Sequence, residues 1–158
     1  MAILYLMRHA KSDWHNHLSD IKRPLNARGR ADAPRIGAEL AARNARPGVI
    51  LGSPANRARA TAEAVAAAFT TPPPIEIIDS LYLADAKTLR HHLLAAGEPK
   101  PMLVAHNPGL DDLLAHLCGD DLPYTRNGKL MTTANVAIID LDGARGHLVD
   151  LIRPKDLT

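Results

Sequence analysis

Two apolar runs in this chain each end in a histidine. Ile3-Leu4-Tyr5-Leu6-Met7 is followed by Arg8-His9, and Met102-Leu103-Val104-Ala105 by His106-Asn107. Between them, Arg57 follows shortly after Ser53-Pro54. Taken alone, Arg8-His9 also reads as a surface turn, and His106-Asn107-Pro108-Gly109 is as ambiguous. A charged pair placed directly after a buried strand is expensive, however, which favours a site. Together these residues can handle a phosphoryl group. Two arginines hold its equatorial oxygens and neutralise charge as transfer proceeds. A neutral imidazole attacks phosphorus in line and forms a covalent phosphohistidine, which water then cleaves. The neighbouring cations Arg8 and Arg57 lower that imidazole's pKa and keep it nucleophilic near neutral pH. A second imidazole donates to a phosphoryl oxygen or shuttles a proton. Spacing leaves open which of His9 and His106 attacks.

Each histidine needs a strand to deliver it, and in open α/β sheets ligands bind outside the carboxyl ends of strands. After the first strand, residues 10–24 read as an irregular loop holding Trp14, His15 and His17, long enough to be functional. Asn26 is placed to cap a helix running to about Asn44, with Ile36 and Leu40 on its apolar face. Pro34 is expected to kink that helix or delay its start. Val49-Ile50-Leu51 suits a buried parallel strand. Ser53 as N-cap and Pro54 at the first helical position then open an alanine-rich helix over 54–69. Pro72-Pro73-Pro74 ends it ahead of a strand at 75–78. A helix over 88–96 closed by Gly97 follows, then the strand at 102–105 and a helix over 109–117. Residues 119–132 read as a polar loop. Val136 to Leu141 and His147 to Ile152 are strand-like around the hairpin signal Asp142-Gly143. This alternation predicts an α/β fold, a three-layer α/β/α sandwich whose mostly parallel central sheet carries an antiparallel edge strand, in one domain over 1–158.

Composition narrows the function classes. Aromatic residues are only 3% of the 158, so the core must be aliphatic, and a stacking surface for single-stranded nucleic acid is not expected. The net charge of +2 is unevenly spread: residues 1–65 carry 11 Lys/Arg against 5 Asp/Glu, and residues 66–158 carry 8 against 12. Most of the early positive charge is arginine, suited to bidentate grip on oxyanions. No basic run of the kind a polyanion needs is present, so a small anionic group is the expected ligand rather than nucleic acid. Cys118 is the only cysteine, which excludes an internal disulfide and a Cys-based metal motif, and it reads as a small hydrophobe on a buried helix face. His15 and His17 lack a suitably spaced third ligand, so no metal is expected. His91 and His92 should point to different helix faces, His116 should lie along a core helix, and His147 should open an edge strand. Asp111 and Asp112 suit a helix amino terminus. The chain's start lacks a basic leader, and no apolar stretch has membrane-spanning length, so a soluble cytoplasmic protein with no membrane partner is expected.

Four ordered segments resemble the histidine phosphatase superfamily. Leu6-Met7-Arg8-His9-Ala10-Lys11-Ser12-Asp13-Trp14 is similar to its opening motif, and Asp20…Arg23-Pro24-Leu25-Asn26…Arg28-Gly29 to the next stretch of its small bacterial branch. Ser53-Pro54…Arg57-Ala58…Thr61-Ala62-Glu63 resembles the second arginine motif, and Val104-Ala105-His106-Asn107-Pro108-Gly109 the second histidine motif. Within the superfamily the likeness is to the SixA-type phosphohistidine phosphatases. The resemblance implies that His9 is the nucleophile, Arg8 and Arg57 the phosphate clamp, and His106 the second histidine. Arg23 matches a position that touches phosphate or stays a solvated loop arginine, and Ser12 and Asn107 are site-lining donors. It further implies a cofactor-free hydrolase acting on a phosphorylated protein, with a phosphatase or mutase of small phosphate esters and a non-catalytic phosphate-binding module as alternatives. Two departures stand out. Ala10 replaces the usual glycine, which would strain a backbone needing positive φ. The segment Asp79-Ser80-Leu81-Tyr82-Leu83-Ala84-Asp85 has no glutamate where many relatives carry a catalytic one, leaving Asp79 and Asp85 as substitutes or as caps.

Overall fold

The computed structural model describes residues 2–119, 122–126, 128 and 130–157. Among them, one sheet is built from β1 (Ala2–Arg8), β2 (Val49–Gly52), β3 (Ile75–Ile77), β4 (Pro101–Ala105), β5 (Val136–Asp142) and β6 (Arg145–Ile152). Its order is β3-β2-β4-β1-β5-β6. The pairings from β3 through β1 are parallel, and those of β1 with β5 and β5 with β6 are antiparallel. The helices are α1 (Ala27–Ala42), α2 (Asn56–Ala66), α3 (Ala86–Leu94) and α4 (Gly109–Cys118).

Side chains alternate across a strand, so a strand covered on both faces reads as an unbroken apolar run. Tyr5, Met7, Met102, Val104, Val136 and Ile138 pack with Ile36, Leu40, Ala58, Ala62 and Val65 of α1 and α2. Their neighbours Leu4, Leu6, Leu103, Ala105, Ala137 and Ile139 pack with Leu89, Leu93, Leu110, Leu113 and Leu117 of α3 and α4. The result is the expected three-layer α/β/α sandwich. Its antiparallel edge is two strands wide, because the β5–β6 hairpin adds both.

The register places the site. β1 lies directly beside β4 with Arg8 opposite Ala105, and the His9 amide extends the ladder by donating to the Ala105 carbonyl at 3.2 Å. The two histidines that follow these strands therefore emerge side by side at one edge of the sheet.

Several boundaries differ from the sequence reading. α1 starts where Asn26 caps it, the side chain accepting from the Gly29 amide at 2.8 Å, and runs on through Pro34. Pro34 is exposed, so water can serve the carbonyl its missing N–H leaves unbonded. α2 begins at Asn56 with Ala55 rather than Ser53 as N-cap, and ends at Ala66. α3 begins at Ala86, capped by Asp85, whose carboxylate accepts from the Thr88 amide at 2.9 Å. It ends at Leu94, so Gly97 lies beyond it. β6 starts at Arg145, two residues before His147, with Gly143 at φ +63° in the turn. His116 is exposed on α4 rather than core-facing, and Cys118 is half-buried. The rings of His91 and His92 meet edge to face at 5.3 Å rather than diverging. No described helix is long and apolar enough to cross a membrane.

The loop after β1 is seated on α1. Asn26 donates its amide to the Lys11 carbonyl at 3.0 Å, and a Cβ at Gly29 would lie 2.1 Å from that same oxygen. Gly29→Ala must push backbone against backbone. It is expected to destabilise by about 1–3 kcal/mol, read as a lowered melting temperature, and to reduce turnover by displacing the loop that carries Lys11 and Ser12.

Candidate active site

The carboxyl ends of β1, β2 and β4 open into a cleft of about 300 Å³. All seven residues singled out from the sequence line it: Arg8, His9, Ser12, Arg23, Arg57, His106 and Asn107. Lys11, Trp14, Asp20, Leu83 and Thr133 complete the lining.

His9 follows β1 and is buried. Its Nδ1 lies 2.8 Å from the Ala10 carbonyl. A carbonyl only accepts, so Nδ1 carries the proton and Nε2 keeps the lone pair in the neutral ring. The Ala10 amide donates to Thr61 Oγ1 at 3.0 Å, and the Thr61 hydroxyl donates to the Arg57 carbonyl at 2.7 Å, fastening the turn after His9 to α2. Ala10 does not adopt a positive φ, so alanine is accommodated here without strain. Burial, helped by the charges of Arg57, Arg8 and Arg23 and opposed by the bond to Ala10, lowers the His9 pKa to about 4. The arginines act as the sequence suggested, but desolvation is the larger cause.

His106 stands beside it, ring centroids 5.2 Å apart. Its Nδ1 is 3.4 Å from Arg57 Nη2, and its Nε2 is 2.7 Å from Ser53 Oγ. A guanidinium only donates, so the neutral ring carries its proton on Nε2 and gives it to Ser53. Ser53 Oγ also accepts from the Ala55 amide at 3.3 Å. The residue expected to cap α2 thus orients the second imidazole. Burial, then the proximity of His9 and Arg57, holds the His106 pKa at about 3.

The three arginines are tethered differently. Arg8 donates from Nη1 to the Met131 carbonyl at 3.1 Å, and Asn107 donates from Nδ2 to the same oxygen at 2.9 Å. The Asp111 carboxylate holds that segment by accepting from the amides of Leu130 and Met131 at 3.0 and 2.9 Å. Asp111 thus does more than complement a helix dipole. Arg57 donates to the Asp20 carbonyl at 2.7 Å and to Asp20 Oδ2 at 3.0 Å. Arg23 donates to Asp20 Oδ1 at 3.0 Å and to the Ser12 hydroxyl, with its guanidinium 3.5 Å above the Trp14 ring. Arg23 is therefore buried rather than a solvated loop residue. The Nε atoms of Arg8, Arg23 and Arg57 are all buried without a hydrogen-bond partner. Arg90 and Arg153, which do not line the cleft, share this feature, so the anion-binding case rests on three guanidinium groups converging on one cleft.

Asp20 is the residue that reading the sequence left without a role. Its carboxylate accepts from Arg23, Arg57 and the Tyr82 hydroxyl. The Tyr82 bond first, then the two arginines, hold it far below the usual carboxylate range. Its position three residues before Arg23 was the available signal. Neither Asp79 nor Asp85 lines the cleft: Asp79 opens a 3-10 turn and Asp85 caps α3. Leu83 projects from this segment to the cleft at φ +51°, an uncommon conformation for a leucine. Among the described residues no three His, Cys, Asp or Glu side chains form a metal-ligating group.

The buried histidines make stability depend on pH. Folded, they stay neutral until about pH 4 and 3, whereas in the unfolded chain they protonate near 6.5. Between those limits the unfolded state binds more protons, so stability falls as pH drops from about 6.5 toward 4. The urea midpoint is expected to decline over that window, and a His9→Asn/His106→Asn variant to show a shallower decline. An equal slope in the variant would contradict the assignment.

The model of the histidine phosphatase superfamily (branch 1) matches residues 4–82, a span holding Arg8, His9, Arg23 and Arg57. No curated protein sequence matches the chain. Among solved structures, the SixA of Agrobacterium tumefaciens, to which phosphohistidine phosphatase activity is ascribed, is 34% identical, with 97% of this chain and 98% of that one covered and a TM-score of 0.88. A protein histidine phosphatase SixA complexed with tungstate is 24% identical over 99% of both chains, with a TM-score of 0.85. An Escherichia coli K-12 protein to which alpha-ribazole-5'-P phosphatase activity is ascribed is 17% identical over 98% of both chains, with a TM-score of 0.73. The last two show the fold alone. The family match and the 34% identical relative, which spans His106 as well, together establish that the chain belongs to the histidine phosphatase superfamily, on its SixA-type branch.

Proposed function

We propose that this chain is a phosphatase that passes a phosphoryl group to His9 Nε2 and then to water, with protein-borne phosphohistidine as its substrate. The tautomer of His9 carries the reading. With Nδ1–H committed to the Ala10 carbonyl, Nε2 is the nitrogen with a free pair, in a cleft lined by Arg8, Arg23 and Arg57. These guanidinium groups serve the phosphoryl oxygens, whose negative charge the arginines neutralise as the bond to phosphorus changes hands. His106 Nδ1, freed when Arg57 turns to phosphate, takes up or returns a proton on a phosphoryl oxygen. The Ala10 carbonyl keeps accepting from Nδ1–H while His9 carries the phosphoryl group, and so stabilises the charged ring.

Two features support the substrate. Asp20, the one carboxylate lining the cleft among the described residues, is held ionised, so no carboxylic acid stands ready for an alkoxide. An imidazole leaving group needs less help of that kind. Trp14 and Leu83 at the cleft are 69% and 57% exposed, an apolar rim suited to cover by a protein surface. The fold by itself does not name a substrate. The test is a panel of a phosphohistidine protein, phosphoserine peptides and sugar phosphates. The highest kcat/KM is expected on the phosphohistidine protein. Preference for a sugar phosphate would overturn the substrate, and stoichiometric binding without turnover would make the chain a phosphate-binding module instead.

A further inference from the structure

An acidic side chain inside an anion-binding cleft demands a reason. Asp20 is the most exposed of the charged residues lining the cleft: its side chain is 42% exposed, against 3% for Arg57 and 8% for Arg23. Tethering the arginines is one role for it, but backbone carbonyls do that without placing a negative charge next to phosphate. The Asp20 carbonyl already holds Arg57 in this way. The carboxylate also has capacity to spare. An ionised carboxyl offers about four acceptor positions, and here Oδ2 is used by Arg57 and Tyr82 while Oδ1 is used by Arg23 alone.

In-line attack from the buried His9 puts the leaving atom on the opposite side of phosphorus, toward the open mouth, where Asp20 is the exposed charge. A departing group there meets a carboxylate. An oxyanion leaving group is repelled by it. A phosphorylated imidazole protonated on its distal nitrogen is attracted and has an N–H to give.

We propose that Asp20 selects the leaving group, accepting the distal ring N–H of a phosphorylated imidazole and so favouring the phosphoimidazolium form over phosphate esters. This rests on the phosphatase reading above. In the step, a bond forms between His9 Nε2 and phosphorus as the substrate's P–N bond breaks, and the electron pair stays on the departing nitrogen. Because the distal nitrogen already carries its proton, imidazole leaves neutral and no acid is consumed. Water then attacks phospho-His9, the P–N pair returns to Nε2, and phosphate leaves with one proton released from the water.

The test compares kcat/KM for 1-phosphoimidazole and p-nitrophenyl phosphate in the native enzyme, Asp20→Asn and Asp20→Glu. The ratio of the two does not depend on how much of a variant is correctly folded. Asp20→Asn is expected to lower the ratio of phosphoimidazole to ester at least tenfold, and Asp20→Glu to restore part of it. A ratio within twofold of native in Asp20→Asn would overturn the proposal and leave Asp20 a tether for the arginines. Failure of the native enzyme to cleave 1-phosphoimidazole would also overturn it. Failure on a phosphohistidine protein alone, with the Asp20-dependent ratio intact, would instead overturn the protein substrate.

Discussion

His9→Ala is expected to lower kcat/KM by at least about 10⁴-fold, the scale seen when the nucleophile of a covalent mechanism is removed. No neighbouring group can take over. The His106 Nε2–H is committed to Ser53 and its Nδ1 faces Arg57, so the second ring is held for proton traffic. Ser12 is bonded to Arg23. Binding of tungstate or inorganic phosphate to His9→Ala should persist within about tenfold, because the guanidinium donors remain in place. Loss of turnover with retained oxyanion binding separates chemistry from capture. Turnover that survives the substitution would mean that phosphate goes directly to water.

Arg57 carries the second large effect. It joins three parts of the site: it donates twice to Asp20 and once toward His106, and its own carbonyl accepts from Thr61, which in turn accepts from the amide following His9. The backbone part of this linkage survives substitution, so Arg57→Ala tests the guanidinium. Losing a preorganised charge on the transferring group costs about 10²–10³-fold in kcat. Arg57→Lys is expected to recover little, since a point charge cannot reproduce the planar fork. The side chain is only 3% exposed, and removing it also takes from Asp20 one of its two arginine partners, each at 3.0 Å. A slightly raised Asp20 pKa and weaker oxyanion binding should accompany the kinetic loss.

Much of the fold was legible because apolar period and strand burial coincide. Met102 to Ala105 is apolar at every position, and the structure divides those positions between two helical layers. The pairing of β1 with β4 was open to inference from two strand-end histidines needing one site. Helix starts were less legible. Ser53 has the composition of an N-cap, yet its hydroxyl goes to His106 across 53 residues, and no local pattern encodes such a contact. Pro34 removes a helix donor wherever it stands, and only the packed fold shows that its side of α1 faces water. Asp20 was missed for a related reason: a carboxylate in a phosphate cleft contradicts simple charge matching, and its sense emerges only once Arg23, Arg57 and Tyr82 converge on it.

The central claim is that phosphate passes through His9. Rapid mixing of enzyme with a phosphohistidine protein, quenching at high pH where phosphohistidine survives, and mass spectrometry of the peptide containing His9 tests it most directly. Phosphate is expected on His9 within a single turnover, decaying as inorganic phosphate appears, and none in the His9→Ala variant. Phosphate found on another residue, or turnover with no phosphoenzyme at any time, would contradict it.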